Sequence, residues 1–449
     1  MKIVIAGAGE VGSHLAKMLS IEYHDIAIID SDEERLNKLS GVADVITFCG
    51  SPTSMATLEK AGVAHADLFI AVSPAQEQDV NILSAMLAKR LGSKRVTARI
   101  NNDEYLKLKY NAFFTEMGID FLFYPEKVAA NEIINLLKQT GTSEFMDFSG
   151  GKLQLIVLKL EESAPVINKR LLDISNGTDI PLFRAMAIAR NGHTFIPKDD
   201  VECKINDLVF VISKREGVEQ VMALSGKNNV EVQKLMIMGG GRIGAQVAAK
   251  LENHVKDIKL IEIDSGRCQA LFDTLKNTLI INGDARNTDL LVEEEIHLMD
   301  AFVAVTDSSE TNILSCMAAK RAGVKKTIAE VENIDYIKLA EGIGVDAIIN
   351  KKLITAGRIF RFTLSNNVQS IKCLNGSDAE VLEFIAKPGS LITAGKISDI
   401  RFPKEAIIGG AIRGSSSFIA QGDFEIKPYD RVVVFALPEA LGKIGKFFA

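Results

Sequence analysis

MKIVIAGAGEVGSHLAKMLS (residues 1–20) opens the chain with an apolar run, glycines at positions 7, 9 and 12, and the first turns of an amphipathic helix. G-x-G-x-x-G directly after a strand-like run is a dinucleotide-binding fingerprint. The first glycine makes a tight turn, the second lets a pyrophosphate approach the backbone, and the third lets helix pack on strand. KLMIMGGGRIGAQVAAKLEN (residues 234–253) repeats the design with Gly239, Gly241 and Gly244. Gly12 and Gly244 lie 232 residues apart, and the correspondence continues downstream. DIAIIDSD (25–32) falls on DIKLIEID (257–264), VITFCGS (45–51) on TLIINGD (278–284), and ADLFIAVS (66–73) on MDAFVAVT (299–306). VNILSAMLAKRLGSKR (80–95) falls on TNILSCMAAKRAGVKK (311–326). The chain is a duplicated half, written twice.

Within each half, short apolar runs alternate with helix-period segments. Continuous apolar runs read as strands buried on both faces, and alternation with helices implies crossovers into a parallel sheet. The predicted fold class is therefore α/β: two Rossmann-like doubly wound parallel-sheet domains. Each is followed by a helix, Pro125–Gln139 and Asn350–Leu364, and then by a stretch rich in short strands. That stretch reads as a small α+β domain with hairpin turns at Gly192 and Gly414. The predicted division is 1–124 (first Rossmann-like domain), 125–225 (crossover helix and first small domain), 226–349 (linker and second Rossmann-like domain) and 350–449 (crossover helix and second small domain). The polar stretch SGKNNVEVQK (225–234) marks the boundary between halves.

The 449 residues exceed one ordinary domain, and 47% hydrophobic with 24% charged residues is a globular composition. A net charge of −6 without a basic block argues against a nucleic-acid binder. No run reaches the roughly 18 apolar residues of a membrane span, which predicts a cytoplasmic protein with no direct membrane insertion. Five scattered cysteines without C-x-x-C read as ordinary buried thiols, and the six histidines show no metal-ligand spacing.

The residues expected to bind a nucleotide are Gly7, Ala8, Gly9, Glu10, Val11 and Gly12 in the first half, and Gly239, Gly240, Gly241, Arg242, Ile243 and Gly244 in the second. The helix behind each loop presents free N–H groups to an anion. Asp30 and Glu262 each follow the third glycine by 18 residues, where a carboxylate accepts from ribose hydroxyls and repels a 2′-phosphate. NAD(H) is the expected ligand, with ATP or ADP as the alternative. A loop kept only as a turn is the competing reading. Glu10 places negative charge near the first phosphate position unless it points outward, whereas Arg242 can pair with phosphate oxygens. Arg99 ends the fifth strand of the first half, and Glu330 holds that place in the second. Ser73 with Pro74, and Thr306, follow the fourth strands, where their hydroxyls reach a ribose or phosphate or cap the next helix. Ser51 and Asp284 follow the third strands and border the adenine position.

No His–Asp or Ser–Tyr–Lys constellation marks the small domains as catalytic, and His193 reads as a turn residue. The repeated order of Rossmann unit, crossover helix and small α+β domain resembles the regulators of potassium conductance (the RCK or KTN family). GAGEVG, GGGRIG, LIEID, NGD, AVT and IIGGAIRG carry the resemblance, which covers essentially the whole chain. It implies a non-enzymatic, cytoplasmic gating subunit that self-associates into a ring beneath a membrane potassium transporter. The implied ligands are NAD(H) or ATP/ADP. The implied first site is Gly7 to Val11, Asp30, Ser73, Pro74 and Arg99, and the second is Gly239 to Ile243 and Glu262. The chain departs from the pattern in VSPAQEQDVN (72–81), two residues longer than its partner VTDSSETN, and in Ser51, where the second half has Asp284. A soluble NAD-dependent oxidoreductase and a non-binding assembly scaffold are the alternatives.

Overall fold

The computed structural model describes all residues except 22–23, 75–76, 176–180, 228–230, 361–367, 375–376 and 378. The boundary stretch 225–234, the loop 72–81 and the end of the predicted helix 350–364 therefore lie partly outside the described residues.

The first half begins with β1 (Lys2–Ala6), α1 (Glu10–Ile21), β2 (Asp25–Asp30), α2 (Glu33–Ser40), β3 (Ile46–Cys49), α3 (Met55–Lys60) and β4 (Leu68–Ala71). It continues through α4 (Gln78–Leu91), β5 (Arg95–Arg99), α5 (Leu108–Glu116), β6 (Phe121–Phe123) and α6 (Pro125–Lys138). The six strands form one parallel sheet in the order β3-β2-β1-β4-β5-β6. The order reverses between β1 and β4, the switch point at which sheets of this kind hold ligands beyond their carboxyl ends. β4 is fully buried and β1 is buried from Ile3 to Ala6, as continuous apolar runs require. β3 differs: it is an edge strand with Ile46 66% exposed. For the same reason Cys49 is exposed, whereas Cys203 and Cys316 are buried. An apolar run does not reveal which strand stands at an edge.

The first small domain comprises β7 (Glu144–Phe148), β8 (Leu153–Lys159), α7 (Leu171–Ser175), β9 (Phe183–Arg190), β10 (His193–Phe195), β11 (Leu208–Lys214) and α8 (Val218–Leu224). Its antiparallel sheet runs β10-β9-β11-β8-β7. Asn191 and Gly192 turn the β9–β10 hairpin at φ +53° and +79°, the left-handed pair that a two-residue hairpin demands.

The second half repeats the plan with β12 (Lys234–Met238), α9 (Arg242–Leu251), β13 (Asp257–Glu262), α10 (Ser265–Thr274), β14 (Thr278–Asn282), α11 (Thr288–Glu293) and β15 (Ala301–Ala304). Next come α12 (Ser309–Arg321), β16 (Lys326–Glu330), α13 (Asp335–Gly342), β17 (Ala347–Ile349) and α14 (Lys351–Phe360). The strand order is again β14-β13-β12-β15-β16-β17. The last elements are β18 (Val368–Cys373), β19 (Glu380–Ile385), β20 (Ala406–Arg413), β21 (Ser416–Ile419), β22 (Arg431–Ala436) and α15 (Pro438–Ile444), whose antiparallel sheet runs β18-β19-β22-β20-β21.

Compactness does not follow chain order. One unit comprises Met1–Val128 together with the helix from Lys351, and the other holds the remainder. In the first unit α14, from the second half, packs along α1. In the second unit the two small sheets share one core, built from Phe148, Met186 and Phe210 on one side and Val381, Ile412 and Phe435 on the other. The glycines of IIGGAIRG permit this contact. A Cβ on Gly409 would lie 2.4 Å from the Met186 methyl, and one on Gly410 would lie 2.8 Å from Leu153. The C-terminal Phe448 is buried and stacks on Phe384 at 4.3 Å, which makes the adjacent aromatics core residues. Each small domain also buries a carboxylate under an arginine fork. Asp207 receives Arg190, and Asp430 receives Arg413, both through bonds of 2.7–2.8 Å. No helix among the described residues is long and apolar enough to cross a membrane.

Candidate functional site

The parallel register brings the ends of β1, β2 and β4 level, pairing Ala6 with Ile29 and with Ala71. Gly7 leaves β1 at φ +108°, its N–H donating to Ile29 O at 2.8 Å. A Cβ there would lie 2.7 Å from Ser73 N, and one on Gly12 would lie 1.8 Å from Gly7 O. The second loop matches. Gly239 has φ +105°, and a Cβ on Gly244 would meet Gly239 O at 2.0 Å. The first and third glycines are thus demanded by the chain itself.

The middle glycines are not. A Cβ on Gly9 or Gly241 would have nothing within 4 Å, and neither residue has positive φ. Gly241 is the N-cap of α9 in extended geometry, and Gly9 immediately precedes α1. Each faces open space in front of a helix N-terminus whose first amides have no partner within the helix. Residues of this type fit a phosphate, since an anion there takes the free N–H groups and the helix-dipole field.

The two acidic residues sit where the spacing places them, with a role that spacing did not disclose. Asp30 is buried; Oδ2 accepts from Ala8 N at 2.5 Å and Oδ1 from Asp32 N at 2.9 Å. Glu262 accepts from Gly240 N at 2.7 Å and from Asp264 N at 2.9 Å, with Arg267 at 3.3 Å. Each carboxylate braces its glycine loop. Each oxygen has two lone-pair sites, so capacity for a ribose hydroxyl remains.

Behind the fourth strands stands a residue pair the sequence reading missed. Asn81, fully buried on α4, accepts from Ser73 N at 2.8 Å and donates to Ser73 O at 3.2 Å. Asn312 on α12 does the same for Thr306 at 3.0 and 2.9 Å, accepts from its hydroxyl at 2.6 Å, and donates to Glu330 O at 2.9 Å. Thr306 does not cap α12; Ser308 does, accepting from Thr311 N. The signal was an asparagine at matching places in two helices, followed by Ile-Leu-Ser in both. Asn312→Ala leaves the Thr306 and Glu330 groups without their buried partner. It is expected to cost on the order of 3 kcal/mol in a urea titration; a change under about 0.5 kcal/mol would refute this role.

Arg99 Nη2 donates to Glu126 Oε1 at 2.8 Å, and both side chains are nearly buried, so Arg99 is held to the first turn of α6. Pro74 lies beside Ser73 at the same edge. Ser51 is exposed and bonded to Thr53 at 2.8 Å. Asp284 is clasped by Arg286 at 2.6–3.0 Å, which holds its carboxyl below the usual range. Arg242 is exposed and pairs with no described residue, whereas Glu10 meets Lys352 of α14 at 3.3 Å. Among the described residues no cluster of three or more His, Cys, Asp or Glu side chains is arranged to hold a metal ion.

Two Rossmann loops, each with an open middle glycine and a carboxylate brace, joined to paired small sheets, define a tandem repeat of the Rossmann-like nucleotide-binding type. The GsuK channel has this fold, at TM-score 0.63 and 15% identity over 98% of this chain and 77% of that one. The GsuK channel bound to NAD gives 0.61 at 16% identity, over 98% and 78%. The TrkA-N domain family matches twice, at residues 3–125 and 235–351. A Trk system potassium uptake protein TrkA homolog of Archaeoglobus fulgidus is 35% identical over 449 residues, the whole of both chains. TrkA of Haemophilus influenzae is 32% identical over 440 residues, 97% of this chain and 95% of that one. The chain belongs to the TrkA family.

Proposed function

We propose that the chain is the nucleotide-binding regulatory subunit of a membrane potassium uptake system. In this reading it assembles with copies of itself into a ring at the cytoplasmic face of the transporter, and it is not an enzyme. The observation that carries the reading is the open space at Gly9 and Gly241. Nothing in the chain requires glycine at either position, and a close-lying pyrophosphate does. The full-length relatives named as Trk potassium uptake proteins support the transport role. GsuK channels bound to NAD and to ADP support the ligand class.

Gly7 to Gly12 with Asp30 would hold one nucleotide, and Gly239 to Gly244 with Glu262 the other. Ser73, Pro74, Thr306, Ser51 and Asp284 would border the sugar and base, and the domain limits read from the sequence would mark the moving parts. The acidic residues favour NAD(H), ATP or ADP over a 2′-phosphorylated cofactor. Binding that favours one conformation shifts the population toward it, and the paired small domains pass the change on.

The test is a calorimetric titration of the purified chain with NAD⁺, NADH, ATP and ADP. Selective binding at one or two sites per chain is expected. A folded protein that binds none of the four would overturn the reading and leave an assembly scaffold.

A further inference from the structure

The two glycine loops carry opposite charges directly after the middle glycine. The second loop has Arg242 there, exposed and without an ion-pair partner among the described residues. The first has Glu10, whose carboxylate would oppose a phosphate at the N-terminus of α1. The structure compensates from a distant part of the sequence. Lys352, the second residue of α14, holds its Nζ 3.3 Å from Glu10 Oε2. The Lys352 side chain is only 16% exposed, whereas that of Glu10 is 64% exposed.

No other described residue pairs with Lys352. One turn further along α1, His14 presents an imidazole pushed down to about 4 by burial, with Lys352 and Lys17 adding to the effect. Its Nε2 is buried and meets no partner. His14 therefore stays neutral and adds no second positive charge beside Lys352. On α1, Glu10 is the ion-pair partner of the ammonium, and His14 and Lys17 supply no negative charge. An anion seated on the free amides beside Gly9 would enter its reach.

We propose that Lys352 is the phosphate-binding cation of the first loop, supplied by the crossover helix of the second half, and that Glu10 competes with the nucleotide for it. The inference rests on the reading of the first loop as a nucleotide site. Without ligand, the Glu10 pair neutralises both charges. With a phosphate on the loop amides, the ammonium turns from Glu10 to a phosphate oxygen. The released carboxylate is already mostly in water, so its loss of a partner costs little. The two loops then reach similar charge by different routes: Arg242 is built into its own loop, and Lys352 arrives from 342 residues further along the chain than Glu10. Occupancy of the first loop thereby acts directly on α14.

Calorimetric titration of the full-length protein with ATP, ADP and NADH, comparing wild type with Lys352→Gln, Lys352→Arg and Glu10→Gln, tests this. Lys352→Gln is expected to weaken one class of site by about tenfold and leave the other unchanged, with Lys352→Arg returning most of the loss. Glu10→Gln is expected to tighten the same class several-fold. Because Glu10 is largely exposed, this variant tests the competition even if Lys352→Gln lowers the melting temperature. Wild-type binding that neither Lys352→Gln nor Glu10→Gln alters overturns the inference and leaves the site reading standing. A wild-type protein that binds no nucleotide overturns the site reading itself, and the inference with it.

Discussion

Gly241→Asp is expected to abolish nucleotide binding at the second loop with no loss of stability, whereas Gly244→Ala, three residues on, is expected to disrupt the loop outright. Asparagine, aspartate and serine are the preferred N-cap residues, and Gly241 is an N-cap in extended geometry with open space where a side chain would go. An aspartate there caps α9 as well as glycine does, or better by a few tenths of a kcal/mol. Its carboxylate then occupies the place of a phosphate, which both displaces and repels it. Binding at that site should fall at least about a hundredfold, close to 3 kcal/mol. The methyl group of Gly244→Ala has no such freedom. Its Cβ would stand 2.0 Å from Gly239 O, so the turn or the helix must move, at a cost of about 3 kcal/mol or more. Thermal unfolding and calorimetry on the two variants separate the cases. A destabilised Gly241→Asp, or one that still binds with wild-type affinity, would refute the division of roles among the glycines.

Phe210→Ala is expected to cost about 3–5 kcal/mol, the usual range for emptying a buried phenylalanine site. Phe210 is fully buried on β11, the middle strand of its sheet, with its ring 5.6 Å from that of Phe435 on β22, the middle strand of the other. Truncation opens a cavity at the centre of the shared core, where two sheets meet and neither backbone can close in. The rings also interact with each other. The double variant Phe210→Ala with Phe435→Ala should therefore lose less than the two single losses together, by about 0.5–1.5 kcal/mol. Urea titrations of the four proteins measure this. Strict additivity would refute the coupling of the two rings across the shared core.

The architecture was open to sequence reading because each of its determinants is local. Apolar runs, helix-period segments and glycine turns repeat in two registers, and their alternation implies a doubly wound sheet. The exposure of Ile46 and Cys49 was not open, since an edge strand and a central strand carry the same run of apolar residues. The positions of the glycine turns and of Asp30 and Glu262 at the strand ends were open to spacing. Their bracing bonds to Ala8 N and Gly240 N were not, because a carboxylate at that spacing serves a ribose or a loop equally well. Asn81 and Asn312 escaped because a single asparagine among the polar residues of a helix carries no motif, although its recurrence in both copies was visible. Lys352 escaped for a deeper reason. An amphipathic helix announces that it will bury one face and does not say against what, and the partner of α14 lies over three hundred residues earlier.

The return of α14 to α1 of the first half bears on how such a chain can change through descent. After a gene doubles within one reading frame, its copies usually become free to drift apart or to be lost singly. Here a helix that packs on α1 of the earlier copy is encoded by the later one. A deletion in the distal half would strip a face from the proximal half, and a substitution on α1 invites its compensation at the far end of the gene. The two copies can diverge, as Glu10 and Arg242 have at matching places, but neither can be discarded. Heredity holds them to one transcript as firmly as packing holds them to one fold.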